Sequence, residues 1–180
     1  AEIEPLAPTD VDRLEAVERI LARDVPARAH MPPEDVSAMD GYITAGEVPT
    51  DTPHEVRGVS AAGHPPDFAL RPGEAAKIMT GAQVPEGGDR VIPIEQTDGG
   101  KERVVFHSLT DAGAHIRRKG EVVEAGAPLL AAGHRLTPGA VSLLASHGYA
   151  EVPVIRAPEV TVLTTGDELV PPEQEPGPGG

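Results

Sequence analysis

The sequence predicts an α+β protein, with a helix near each end and a β-rich stretch between them. Three observations carry this expectation. From Thr9 to Asp24, Val11, Leu14, Val17, Ile20 and Leu21 fall on one stripe with charged residues opposite, the period of an amphipathic helix. Over roughly the next hundred residues, glycine and proline recur every few positions around short apolar runs, the punctuation of a small all-β module. In the C-terminal third, Thr137-Pro138 and Gly148 bracket a second helical stretch.

Each element has a local reason. Thr9 with Asp12 resembles a capping pair for the first helix, and Pro26 helps to stop it. Ala75 to Met79, Arg90 to Ile94 and Arg103 to Phe106 read as strands, and Asp98-Gly99-Gly100 marks a hairpin turn between two of them. The second helix takes Thr137 as N-cap, Pro138 in its first position, Val141, Leu144 and Ala145 as its apolar face, and Gly148 as C-terminal cap. Tyr149 to Ile155 and Val160 to Leu163 are strand-like. The second of these runs into Thr164-Thr165-Gly166-Asp167-Glu168, as an α/β nucleotide-type domain begins. Pro171 to Gly180 is proline, glycine and glutamate, with the composition of a disordered end or linker.

Composition narrows the function. The chain has 180 residues, 2% of them aromatic, and a formal charge of -14. Few aromatics and an acidic balance both argue against nucleic acid as a partner. With no cysteine there is no thiolate nucleophile, disulfide or zinc-thiolate site. No apolar run approaches a membrane span, and the N-terminus does not read as a signal peptide, so the expected setting is the cytoplasm. An acidic chain binds anions only where backbone N–H groups, arginine or a metal ion reverse the local field.

Four segments have the residues for that. In Ser37-Ala38-Met39-Asp40-Gly41-Tyr42, a carboxylate precedes a glycine, so the backbone turns sharply and Asp40 projects toward a hard cation. In Met79-Thr80-Gly81-Ala82, small residues let an anionic oxygen reach backbone N–H groups while Thr80 donates a further hydrogen bond. Arg117, Arg118 and Lys119 make the one run of three consecutive cations, suited to a phosphate-rich ligand. Thr165, Gly166, Asp167 and Glu168 follow a predicted strand at its carboxyl end, where open α/β sheets hold phosphates or Mg²⁺. Each motif also has a plainer reading, as turn, surface loop, solvated face or helix cap. The seven histidines show no metal-site pairing, and no P-loop or dinucleotide fingerprint is present. Pattern alone stops at a β-rich anion or metal binder.

At these motifs the chain resembles the molybdopterin molybdenumtransferase family, MoeA in bacteria and the E domain of gephyrin in animals. The resemblance rests on Ser37 to Tyr42, Thr80-Gly81-Ala82 with Val84-Pro85-Glu86-Gly87 and Asp89, Arg117 with Gly120-Glu121, and Thr165 to Leu169, in the family's order. It implies a transferase that inserts molybdate into adenylylated molybdopterin and releases AMP, assisted by Mg²⁺. It also implies Asp40, Thr80 and Glu168 as catalytic residues, with Asp40 and Glu168 on the metal. Ser37, Gly81, Ala82, Arg117, Thr165, Gly166 and Asp167 would bind the cofactor precursor. Two departures stand out: Val122 follows Gly120-Glu121 where the family has an acid, and Val36 stands where asparagine is common.

The resemblance further implies a discontinuous mixed domain of residues 1–28 and 128–157, a β-rich domain of 29–127 inserted in it, and the truncated start of a molybdopterin-binding domain in 158–180. Partners are then a second copy of the chain, forming a composite active site, and small-molecule substrates, with neither nucleic acid nor membrane. A fragment of this extent is expected to be inactive alone. Competing readings are a non-catalytic dimerisation or scaffold module and a molybdate or tungstate binding domain.

Overall fold

A computed structural model describes residues 4–177. Its strands are β1 (Pro8–Asp12), β2 (Val25–Pro26), β3 (Val36–Ser37), β4 (Gly41–Thr44), β5 (Pro53–Ser60), β6 (Ala75–Ile78), β7 (Arg90–Pro93), β8 (Arg103–Val105), β9 (Ile116–Arg117), β10 (Pro128–Leu130) and β11 (Glu151–Ile155). Among the described residues there is one α-helix, α1 (Pro138–Ser146). The protein is therefore mostly β.

The two ends of the chain share a core. β1 pairs antiparallel with β11, from Pro8 opposite Ile155 to Asp12 opposite Glu151, and β2 pairs with β10. Leu21, Val25, Leu136, Val141, Leu144, Val152 and Val154 pack together beneath α1. Thr137 caps that helix by accepting the Ala140 N–H at 3.2 Å, with Pro138 in the first turn and Gly148 at positive φ beyond the end, as its sequence demands. Its buried face uses Ala140, Val141 and Leu144, and the expected Ala145 points to solvent.

The helix expected over Thr9 to Asp24 does not form. Pro8–Asp12 is a strand with Val11 set opposite Val152, and the Asp12 carboxylate accepts the Leu14 N–H at 2.8 Å, which starts a turn instead of a capping box. Glu18 takes a positive φ of 68°, and Leu14, a member of the supposed stripe, is 72% exposed. Pairing with β11 outweighs a local preference worth only tenths of a kcal/mol per residue.

Residues 42–116 build two further cores around a five-stranded sheet ordered β7-β4-β6-β5-β8, antiparallel except for β5 beside β6. Strand β4, between β7 and β6, is buried on both faces. Ile43 packs with Ala76, Ile78 and Val91, while Tyr42 packs with Val48, Ile92 and Phe106. The expected strands at Ala75, Arg90 and Arg103 are present, but β7 and β8 occupy opposite edges of the sheet. The Asp98-Gly99-Gly100 turn instead joins Thr97 to Phe106, with Asp98 Oδ1 accepting the N–H groups of Gly100 and Val105.

The expected strand from Val160 to Leu163 is also absent. Val160, Val162 and Leu163 are 78–83% exposed, because among the described residues no strand pairs with them and an unpaired strand leaves its amides to water. Residues 171–177 are exposed turn and coil, and the last three residues of the expected disordered end lie outside those described.

Candidate functional site

The antiparallel pairing of β4 with β6 sets Gly41 opposite Ile78, so the residues just outside each strand, Asp40 and Thr80, emerge side by side. Asp40 Oδ1 accepts both the Thr80 N–H and the Thr80 Oγ1–H at 2.7 Å. The Asp40 carbonyl accepts the Ile94 N–H at 3.0 Å, which fixes the backbone behind the carboxylate. The clasp is exposed, and Asp40 Oδ2 has no partner among the described residues.

Gly41 serves this geometry through packing, not through turning. It lies within β4, and a β-carbon there would overlap the Ile92 carbonyl oxygen while standing 2.9 Å from Ile92 C and 3.1 Å from Pro93 Cα. Only glycine lets β7 approach so closely.

The second segment is not the open anion cradle expected from its composition. Thr80 N–H goes to Asp40, Gly81 N–H to the Ser37 carbonyl at 2.8 Å, and Ala82 N–H to the Met79 carbonyl at 2.9 Å. Each donor in the turn is spent, and so is the Thr80 hydroxyl proton. What faces outward is acceptor capacity: the free oxygen of Asp40 and the lone pairs of Thr80 Oγ1. Ser37 and Ala82 are buried, with Ser37 Oγ donating to the Met39 carbonyl at 2.6 Å, so both shape the turn from beneath and do not line it.

Hydrogen bonds from the Thr80 amide and hydroxyl, helped by the charge of Lys77, hold the Asp40 carboxyl below its ordinary range despite slight desolvation. Asp40 is therefore an ionised acceptor and a poor proton abstractor near neutrality. Lys77 escaped the sequence reading; its one signal was its place three residues before Thr80.

Arg117 lies in β9 opposite Val36, one residue from Ser37, and its side chain is exposed. Its neighbours are committed elsewhere: Arg118 pairs with Asp35 at 2.6 Å and Lys119 with Glu34 at 3.0 Å. Among the described residues, Arg117 alone of the three cations has no ion-pair partner. Glu34 and Asp35 were not singled out from sequence, since their partners lie more than eighty residues away.

Thr165, Gly166, Asp167 and Glu168 are not brought to the clasp. The last backbone bond joining this end of the chain to the rest is Arg156 N–H to the Ala7 carbonyl, and everything from residue 157 to 177 is exposed. Magnesium prefers an octahedron of oxygens with one or two carboxylates. Asp40 offers one free oxygen without Glu168 beside it, and among the described residues no three His, Asp or Glu side chains gather as a metal cage. The expected Asp40–Glu168 metal pair is not formed, and the residues present do not fit a magnesium site.

Residues 1–148 match the family described as the MoeA N-terminal region, domains I and II. The chain belongs to this family. A molybdopterin molybdenumtransferase of Nostoc sp. is 38% identical over 177 residues, covering 94% of this chain and 40% of the relative. Molybdopterin molybdenumtransferase 2 of Mycobacterium tuberculosis is 39% identical over 178 residues, covering 96% of this chain and 44% of its own length. Two crystal structures of the molybdopterin biosynthesis MoeA protein from Pyrococcus horikoshii superpose with TM-scores of 0.81 and 0.82 at 33% and 30% identity, covering 97% and 94% of this chain and 46% of each of theirs. The chain thus spans less than half the length of these relatives. Among the described residues, no helix is long and apolar enough to cross a membrane.

Proposed function

We propose that this chain is the N-terminal part of a molybdopterin molybdenumtransferase, the enzyme that inserts molybdate into adenylylated molybdopterin and releases AMP. The observation that carries the reading is the clasp, in which two motifs forty residues apart deliver one ionised carboxylate, locked in orientation, to the surface. Asp40 accepts hydrogen bonds from N–H or O–H groups of the substrate, Thr80 positions Asp40, and Arg117 faces the phosphate charge. A fixed acceptor needs no reorganisation as charge develops, which is where such groups contribute most to rate.

Glu168 and the Thr165-Gly166-Asp167 turn serve the same reaction as part of a pterin-binding domain. We assign residues 1–28 with 128–157, and 29–127, as two domains on the strength of their separate cores. In the working enzyme, two copies of the chain complete the cleft, in the cytoplasm. Any magnesium used draws its ligands from substrate phosphates and from residues not gathered around Asp40 here.

The test uses the full-length protein. Asp40→Asn and Thr80→Val should lower cofactor formation from adenylylated molybdopterin and molybdate, the former by about a hundredfold, with dimer mass unchanged on light scattering. Synthesis within roughly twofold of the parent, well under 1 kcal/mol of barrier, refutes the reading and leaves a non-catalytic dimerisation module.

A further inference from the structure

The sheet face that carries Asp40 is covered along only part of its length. Residues of a strand alternate between faces, and directly opposed residues of neighbouring strands share one. Tyr42 stands opposite Lys77 and Gly41 opposite Ile78, so Asp40 and Tyr42 lie on one face with Ala75, Lys77 and Met79. Tyr42 and Ala75 pack with Val104 and Phe106 and are fully buried. Past them the cover ends. Met79 is 40% exposed, Val59, opposite Lys77 in β5, is 58% exposed, and Asp40 is exposed as well.

Lys77 is the anomaly on this face. It lies in β6 with β4 on one side and β5 on the other, a place where lysine is disfavoured, and it is only partly exposed. Among the described residues its ammonium has no ion-pair partner. Continuing the register sets Asp40 opposite Met79, which makes Lys77 the diagonal neighbour of Asp40. Such neighbours stand about 7–8 Å apart, within reach of a long side chain. The Thr80 hydrogen bonds hold the Asp40 carboxyl down, and the Lys77 charge adds to them. One free carboxylate oxygen and one free ammonium therefore share an open face with two exposed apolar side chains.

We propose that Lys77 is a specificity-determining residue of this site, binding an anionic oxygen of the same ligand from which Asp40 accepts a hydrogen bond. A lysine ammonium is a compact point charge with three donors, suited to phosphate oxygens. The Asp40 oxygen left free accepts only, so the ligand brings an N–H or O–H group to it. Val59 and Met79 beside them take an apolar part. The face thus selects a phosphate-bearing ligand that also carries a donor and an apolar surface. That Lys77 acts in synthesis rests on the function proposed above; the unpaired ammonium, its register beside Asp40 and the apolar rim are independent of it.

The test compares Lys77→Met, which keeps an apolar stem, with Lys77→Arg, which keeps the charge. The 180-residue chain is titrated with inorganic pyrophosphate and read by methyl and amide chemical shifts. The Val59 and Met79 methyls and the Thr80 amide should shift, and Lys77→Met should weaken pyrophosphate binding about tenfold while Lys77→Arg stays within about threefold. Without ligand, Lys77→Met should raise the NMR titration midpoint of Asp40, which lost packing alone would not do. In the full-length enzyme, Lys77→Met should raise KM for adenylylated molybdopterin about tenfold with a much smaller change in kcat, and Lys77→Arg should restore it. Absent shifts at these groups, pyrophosphate affinity indifferent to Lys77→Met, Lys77→Arg no better than Lys77→Met, or an unmoved Asp40 midpoint overturns the proposal. If Asp40→Asn abolishes synthesis while pyrophosphate binding ignores Lys77→Met, the role of Lys77 falls alone; if pyrophosphate binding depends on Lys77 while Asp40→Asn leaves synthesis intact, the proposed function falls alone.

Discussion

Gly41→Ala is the sharpest probe of the site's foundation, because two accounts of that glycine predict opposite results. If backbone freedom were the only reason for Gly41, alanine would cost little, since the residue lies in a strand and its φ is not positive. In the structure, the new β-carbon meets backbone: it overlaps the Ile92 carbonyl oxygen and lies 2.9 Å from Ile92 C and 3.1 Å from Pro93 Cα. Carbon pairs settle near 3.5–4.0 Å, so β7 must recede by roughly an ångström. Overpacking costs about 1–3 kcal/mol. Losing two of the β4–β7 ladder bonds adds about 1 kcal/mol each. The expected loss is therefore about 3–5 kcal/mol, a large part of the ~5–15 kcal/mol available to a folded domain.

The assay is urea unfolding paired with amide exchange of β4 and β7. Gly46→Ala is the control: it has open space around its β-carbon but a φ of 74°, so it should cost only about 1–2 kcal/mol. Gly41→Ala should also speed exchange of the Ile94 amide, whose acceptor is the Asp40 carbonyl. If Gly41→Ala unfolds within ~0.5 kcal/mol of the parent, the margin of an inconsequential surface change, the close-approach argument is wrong.

Three further outcomes follow from the same geometry. The Asp40 carboxyl, held below its ordinary value by the Thr80 N–H and hydroxyl, favours folding above the unfolded carboxylate range, and that contribution is lost as pH falls through the folded value; Thr80→Val should move its NMR titration upward, and an unmoved midpoint would sever the hydroxyl link. Partial burial pushes the Asp35 carboxyl up but is outweighed by the Lys119 N–H and the Arg118 guanidinium, so Asp35→Asn should cost about 1–2 kcal/mol in urea at neutral pH and much less in acid, and equal losses at both would refute this sign. His147 is 4% exposed with neither ring nitrogen partnered among the described residues, so His147→Leu should be neutral or stabilising by about 1 kcal/mol in the same assay, and a loss beyond that would reveal an interaction not accounted for.

Local chemistry was legible wherever the physics is local. Thr137, Pro138 and Gly148 bound α1 because caps act within one turn, and the short apolar run at Ala75–Ile78 is a strand because glycine and proline punctuation leaves it too short for a helix and β4 and β5 pair with it on either side. The hydrogen-bonded pairing of Asp40 with Thr80 was not legible from spacing, since the two residues lie forty positions apart. By itself the sequence determined the β-rich character, the second helix and the residues available to a site. Tertiary structure alone decided that Pro8–Asp12 joins Glu151–Ile155 instead of starting a helix, and that the Thr80 turn spends its donors internally. It likewise decided which of three adjacent cations has no ion-pair partner among the described residues. Those outcomes depend on partners dozens of residues away, and a hydrogen bond or ion pair is assigned only when folding has chosen which donor meets which acceptor.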